Sequence, residues 1–124
     1  MVKAVRGAVS LESDTQQELI LKVEELYLKL LQKNGISEED IVSIIFSQTK
    51  DISYNPAKAL RLAKEVAAVP LFCTQEAVCV DFPQERMLRV LVTFNTDQNA
   101  KTIIPVYLGR AADLRGDLKD NGTE

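Results

Sequence analysis

The first constraint on this chain is a mismatch between its strand-forming and helix-forming segments. Two runs, Ile41 to Phe46 (IVSIIF) and Leu88 to Phe94 (LRVLVTF), are β-branched and largely apolar, and strands of that kind have side chains to bury on both faces of a sheet. Few helices are available to cover them. After Asp14, Thr15-Gln16-Gln17-Glu18 forms a capping box, and Leu19, Ile20, Val23, Leu26, Tyr27, Leu30 and Leu31 follow the helical period until Asn34-Gly35 closes the helix. Asn55-Pro56 opens a second helix, marked by Ala57, Leu60 and Ala63 or Lys64 and running to about Ala67. Two helices can cover only one face of a sheet of about five strands. The other face is expected to meet a partner subunit.

The remaining strands complete an α+β reading with a mixed five-stranded sheet. Val2 to Leu11 alternates, with Val5, Val9 and Leu11 on one side and Ala4, Arg6 and Ala8 on the other. Val69 to Val80 reads as the third strand, and Leu88 to Phe94 as a fourth that pairs antiparallel with it across the turn Asp81 to Arg86. Ile103 to Leu108 reads as the fifth, where Pro105, lacking an N–H, should lose a ladder bond or lie at an edge. Ser37 to Asp40, Lys50 to Tyr54 and Asp97 to Lys101 read as short connections, and residues 109–124 as a polar tail without periodicity. A length of 124 residues suits a single domain over 1–124, which at this size buries roughly two-thirds of the surface its unfolded chain exposes.

The chemistry is bounded by an absence: the sequence contains no histidine. Nucleophile–imidazole pairs, histidine-ligated metals and a histidine general base are therefore excluded. A formal charge of -3 without a basic run gives no electrostatic footprint for nucleic acid or an anionic membrane. Neither a signal peptide nor a membrane span is expected from Met1 to Leu11, so the expected location is cytoplasmic. Cys73 and Cys79 lie too far apart along one extended run to bridge each other there, which suits a reducing compartment.

All six arginines lie outside the long helix, at positions 6, 61, 86, 89, 110 and 115. Arg6 and Arg89 occupy strand positions flanked by small or apolar residues, where each cation needs an anion. An internal carboxylate would serve for one arginine. Two or more on different strands point instead to a carboxylate or phosphate ligand, and without a glycine-rich phosphate loop a small carboxylate is favoured. Glu76 reads either as an exposed strand residue or as an internal partner for Arg89, Cys73 as a small buried hydrophobe, and Tyr107 as an aromatic with a polar tip. Cys73 and Glu76, three residues apart, would point to opposite faces of a regular strand.

Taken in order, VRGAVSLESDT (Val5 to Thr15), PAKALR (Pro56 to Arg61), CTQE (Cys73 to Glu76), LRV (Leu88 to Val90) followed by NTD (Asn95 to Asp97), VYL (Val106 to Leu108) and LRGDL (Leu114 to Leu118) resemble the AroH class of chorismate mutases across nearly the whole chain. The resemblance implies a homotrimeric pseudo-α/β barrel with active sites between subunits, a Claisen rearrangement of chorismate to prephenate in aromatic amino-acid biosynthesis, and no metal or organic cofactor. It implies catalytic roles for Arg89, at the ether oxygen and a carboxylate, for Arg6, at a carboxylate, and for Glu76 and Cys73, at the ring hydroxyl. Substrate binding would further involve Ala57, Lys58, Arg61, Phe72, Tyr107 and Arg115, with residues 109–124 closing the cleft as a lid.

The sequence departs from that pattern at Asn55, Phe72, Ile104-Pro105 and Gly116, positions that alter pocket lining and tail rigidity without removing a proposed donor. Two other readings stay open at this stage. One is a trimeric enzyme acting on imines or enamines, which would also hold a carboxylate with an interface arginine. The other is a non-catalytic sensor of an aromatic-pathway metabolite.

Overall fold

The computed structural model describes residues 1–99 and 101–113. Strand β1 (Val2–Ser10) leads into helix α1 (Gln16–Asn34), and a single 3-10 turn (Glu38–Asp40) precedes β2 (Ile41–Gln48). Helix α2 (Pro56–Ala63), β3 (Leu71–Gln75), β4 (Met87–Asn95), β5 (Val106–Leu108) and a 3-10 turn (Gly109–Asp113) complete the order. The helix ends carry the predicted cap residues, but the predicted box at α1 is only half formed, because the Glu18 carboxylate accepts from the Glu12 and Ser13 N–H groups instead of the Thr15 N–H. Thr15 accepts from the Glu18 N–H at the start of α1, Gly35 closes it in the left-handed region (φ 59°), and Asn55 accepts from the Lys58 N–H at the start of α2.

The strands form one mixed sheet in the order β3-β2-β4-β1-β5. β4 runs antiparallel to both β1 and β2, while β3 is parallel to β2 and β5 is parallel to β1. This corrects the expected β3–β4 hairpin. β4 is flanked on both sides, and residues 76–86 form a long connection in place of a tight turn. The third strand is accordingly five residues rather than twelve, so Cys79 lies in that connection. α2 ends at Ala63, short of Ala67. β5 contracts to three residues directly after Pro105 and sits at the sheet edge, as a residue without an N–H donor requires.

Both helices pack on one face. Leu19, Val23, Leu26, Tyr27 and Leu30 of α1 and Ala57, Ala59 and Leu60 of α2 join Val5, Val9, Ile44, Phe46, Leu88, Val90, Val92 and Phe94 in a single core. The approach of α1 to β1 is close enough that a Cβ on Gly7 would stand 2.9 Å from a Leu30 methyl and 3.1 Å from a Leu26 methyl, so a larger residue there would have to displace these packed side chains. Among the described residues the opposite face carries no α-helix; the closing 3-10 turn lays Ala111 over Ala8 and Met87 there and leaves the rest open. Ile45 and Leu91 are paired across β2 and β4, Phe72 pairs with Ile45 from β3, and all three are exposed. The apolar character of that face, which marked β2 and β4 as doubly covered strands, is thus left exposed at these three residues among the described ones.

Candidate active site

Sheet register determines which polar side chains meet. Residues directly opposite across a ladder point to the same face. Tyr107 pairs with Ala8, Ala8 with Arg89, Arg89 with Ser47 and Ser47 with Thr74, so Tyr107, Arg89 and Ser47 share one row across four strands. Arg6, two residues before Ala8 on β1, pairs with Leu91 and joins the same open face one row further along. Four residues that the sequence scatters over more than a hundred positions thus converge. They line a cavity of about 320 Å³ together with Glu76 and Phe82.

Glu76 enters this cavity from the end of β3. Its N–H continues the ladder to the Gln48 carbonyl at 2.8 Å. Its side chain turns to the open face, where Oε2 accepts from Arg89 Nη1 at 2.7 Å and Oε1 accepts from the Ser47 hydroxyl at 2.5 Å. Gln84 donates to Oε2 from 3.5 Å. The internal-partner reading of Glu76 is therefore realised. The Phe82 ring covers the guanidinium, its centroid 5.7 Å from Arg89 Cζ, a cation–π contact that also screens the pair from water on that side. Two guanidinium groups against one carboxylate leave the cavity locally positive in a chain whose formal charge is -3.

The other predicted residues lie elsewhere in this chain. Cys73 pairs with Phe46, a core residue, and so faces the helices; its thiol donates to Asn55 Oδ1 at 3.6 Å. Ala57 is buried in the core, while Lys58 and Arg61 are exposed on α2. Phe72 lies on the open face, 66% exposed. Cys73 and Glu76, three residues apart, take opposite faces, and the single chain does not bring Cys73, Lys58 or Arg61 to the cavity. Arg115 and residues 114–124 of the proposed lid lie outside the described residues. The start of the tail is anchored by Arg110, whose guanidinium donates to the carbonyls of Leu11 (2.8 Å) and Glu85 (3.1 Å) and whose N–H donates to the Ser10 hydroxyl (2.8 Å).

Ser47, Phe82 and Gln84 escaped the sequence reading. Ser47 had a signal, standing just past the apolar run Ile41 to Phe46 and two residues beyond Ile45, hence on the same face if the strand continues. Phe82 and Gln84 had none, since a turn gives no periodicity from which to read a facing direction.

A face with paired guanidinium groups, a fixed carboxylate and a phenol is suited to a small, multiply charged organic anion that also carries a hydroxyl. Comparison with known proteins defines the family. The model for chorismate mutase type I matches residues 2–118. The chain is 35% identical over 119 residues to chorismate mutase AroH of Bacillus subtilis (strain 168), covering 95% of this chain and 93% of that protein. It is 40% identical over 121 residues to chorismate mutase AroH of Thermus thermophilus, covering 96% and 98%. A solved structure of chorismate mutase from Clostridium thermocellum superposes with a TM-score of 0.80 at 36% identity, covering 88% of this chain and 96% of that one. The chain belongs to the chorismate mutase type I family.

Proposed function

We propose that this protein is a chorismate mutase, an isomerase that converts chorismate to prephenate in aromatic amino-acid biosynthesis. The observation that carries the reading is the Arg89–Glu76 pair, set beside Arg6 and Tyr107 on one sheet face in a chain of this family. In the rearrangement the ether C–O bond breaks as a C–C bond forms between the two ends of the same molecule. No proton, electron or fragment leaves. The protein has to hold the flexible dianion in a compact chair-like conformer and stabilise the negative charge growing on the ether oxygen. Arg89 is assigned to that oxygen and a neighbouring carboxylate, Arg6 with Tyr107 to the carboxylate end, and Glu76 to the ring hydroxyl. A histidine-free chain meets these demands because none of them is a proton transfer.

The assembly is proposed to be a homotrimer acting in the cytoplasm, where its cysteines, both unpaired, would remain reduced. Two groups of predicted ligand-binding residues on different parts of one chain support inter-subunit sites. Arg6, Glu76, Arg89 and Tyr107 share the open-face cavity, whereas Lys58, Arg61 and Cys73 belong to α2 and the helix-facing side of β3. In this reading the first group of one subunit faces the second group of its neighbour, and the exposed row of Phe72, Ile45 and Leu91 is covered on assembly.

The direct test is the loss of chorismate absorbance with prephenate identified as product. Arg89→Ala should lose about a hundredfold or more in kcat, on the order of 3 kcal/mol for one preorganised donor. Arg89→Lys should remain badly impaired, because an ammonium cannot reproduce the guanidinium fork. Near-normal turnover by Arg89→Ala would sink the assignment. Ammonia release from an imino acid would favour a deaminase, and calorimetric binding of chorismate without turnover would favour a sensor.

A further inference from the structure

The loop between β3 and β4 contributes a side chain that the function above does not use. Gln84 directs its amide nitrogen to Glu76 Oε2, the same oxygen that Arg89 holds, and its amide oxygen is buried with no hydrogen-bond partner among the described residues. The orientation of the amide is set by chemistry. Turning it over would aim a carbonyl at a carboxylate, so the nitrogen must face Glu76. A half-buried loop residue that leaves its own acceptor unmet, at a cost comparable to a lost hydrogen bond, is positioned for its donor.

We propose that Gln84 is a positioning residue for Glu76, holding the carboxylate together with Ser47 when the Arg89 guanidinium turns toward the substrate. The argument rests on the proposed mutase reading, in which Arg89 must serve both Glu76 and the reacting anion. In the structure Glu76 has a donor on each oxygen, Ser47 on Oε1 and Arg89 on Oε2. Once Arg89 is drawn to the ether oxygen, Oε2 loses its close donor, and Gln84 at 3.5 Å is the group placed to move in. Without it the carboxylate could rotate about its single bond to Ser47, and its aim at the ring hydroxyl would be lost. Phe82, two residues earlier on the same loop and against Arg89, limits where the guanidinium can go.

The test compares wild type with Gln84→Met, which keeps the length and removes the N–H, and Gln84→Lys, which restores a donor. Steady-state chorismate turnover and thermal unfolding are measured for all three. Gln84→Met should lower kcat by about three- to tenfold, the scale of one ordinary hydrogen bond, as suits a contact of 3.5 Å, with KM within about twofold and Tm nearly unchanged. Gln84→Lys should recover most of that kcat. A Gln84→Met enzyme with wild-type kcat overturns the proposal, as does equal loss of kcat in both variants, which would mean that the donor is immaterial. If wild type itself does not consume chorismate, the mutase reading fails and this inference falls with it; wild-type activity with an unaffected Gln84→Met removes the inference alone.

Discussion

Cys73 shows how far a single residue can be read from its neighbours in sequence. Its spacing from Glu76 places the two on opposite faces of a regular strand, and that is how they lie: Glu76 on Arg89 and Ser47, Cys73 toward the helices with its thiol on the α2 cap residue Asn55. The sequence could not show that β3 stops at Gln75, because the apolar run continues to Val80 and nothing in its composition distinguishes ladder from loop. The thiol bond is long and weak, and a serine hydroxyl can reproduce it. Cys73→Ser should therefore keep activity within about threefold of wild type, and Cys73→Ala should be modestly impaired, by no more than about tenfold, on the scale of one hydrogen bond. Turnover assays on both variants check this. Abolished activity in both would give the thiol a role that its present contacts do not explain.

The connection from β3 to β4 is the element on which the site depends most, and it was the part of the fold least legible in the sequence. Its C-terminal end is fixed by Asp51. Both Asp51 oxygens accept from the Arg86 N–H (3.0 and 3.1 Å), and Arg86 takes a left-handed conformation (φ 43°) that a non-glycine residue adopts only when held. Three residues further along, Arg89 emerges onto the open face. Partial burial pushes the Asp51 carboxyl up, but the Thr49 hydroxyl and the Arg86 N–H outweigh it and hold it below the ordinary 3.8. Asp14, which accepts from the hydroxyl and N–H of Ser53, is lowered in the same way. Carboxyls lower in the folded than in the unfolded chain contribute stability that is complete above the unfolded value and is lost as pH falls through the folded one. Asp51→Asn should therefore cost about 1 kcal/mol at pH 7, at the low end for a charged partner because the group is largely solvated. The gap to wild type should close as pH falls below about 4. Urea unfolding of both proteins across this range measures it, and a gap that stays constant into acid would contradict the assignment.

At the scale of the whole molecule, the described residues leave part of the sequence's surplus of apolar strand surface exposed at Ile45, Phe72 and Leu91, and the proposed assembly would cover it with a second chain. Intrachain pairing was partly legible: alternation in β1 correctly separated Val5 and Val9 from Arg6, and the edge position of β5 followed from Pro105. The strand order was not, because alternation fixes a face and says nothing about which strand lies alongside. The proposed site has the same property in this reading. Register unites Arg6, Arg89 and Tyr107 in one cavity and leaves Lys58 and Arg61 on a helix packed against the other face, so a site needing both groups must draw on two subunits. Such sites can be complemented. Arg89→Ala and Lys58→Ala/Arg61→Ala proteins, each poorly active alone, should regain turnover when unfolded together and reassembled in equal amounts. In a cyclic assembly with random mixing, a site is intact only where an unaltered Arg89 face meets an unaltered α2, which occurs at about one site in four. Recovery toward a quarter of wild-type activity, with no gain when the separately refolded proteins are simply combined and assayed at once, would establish shared sites. A mixture that stays at the mean of its two components would place the whole site within one chain and remove the main support for the proposed assembly.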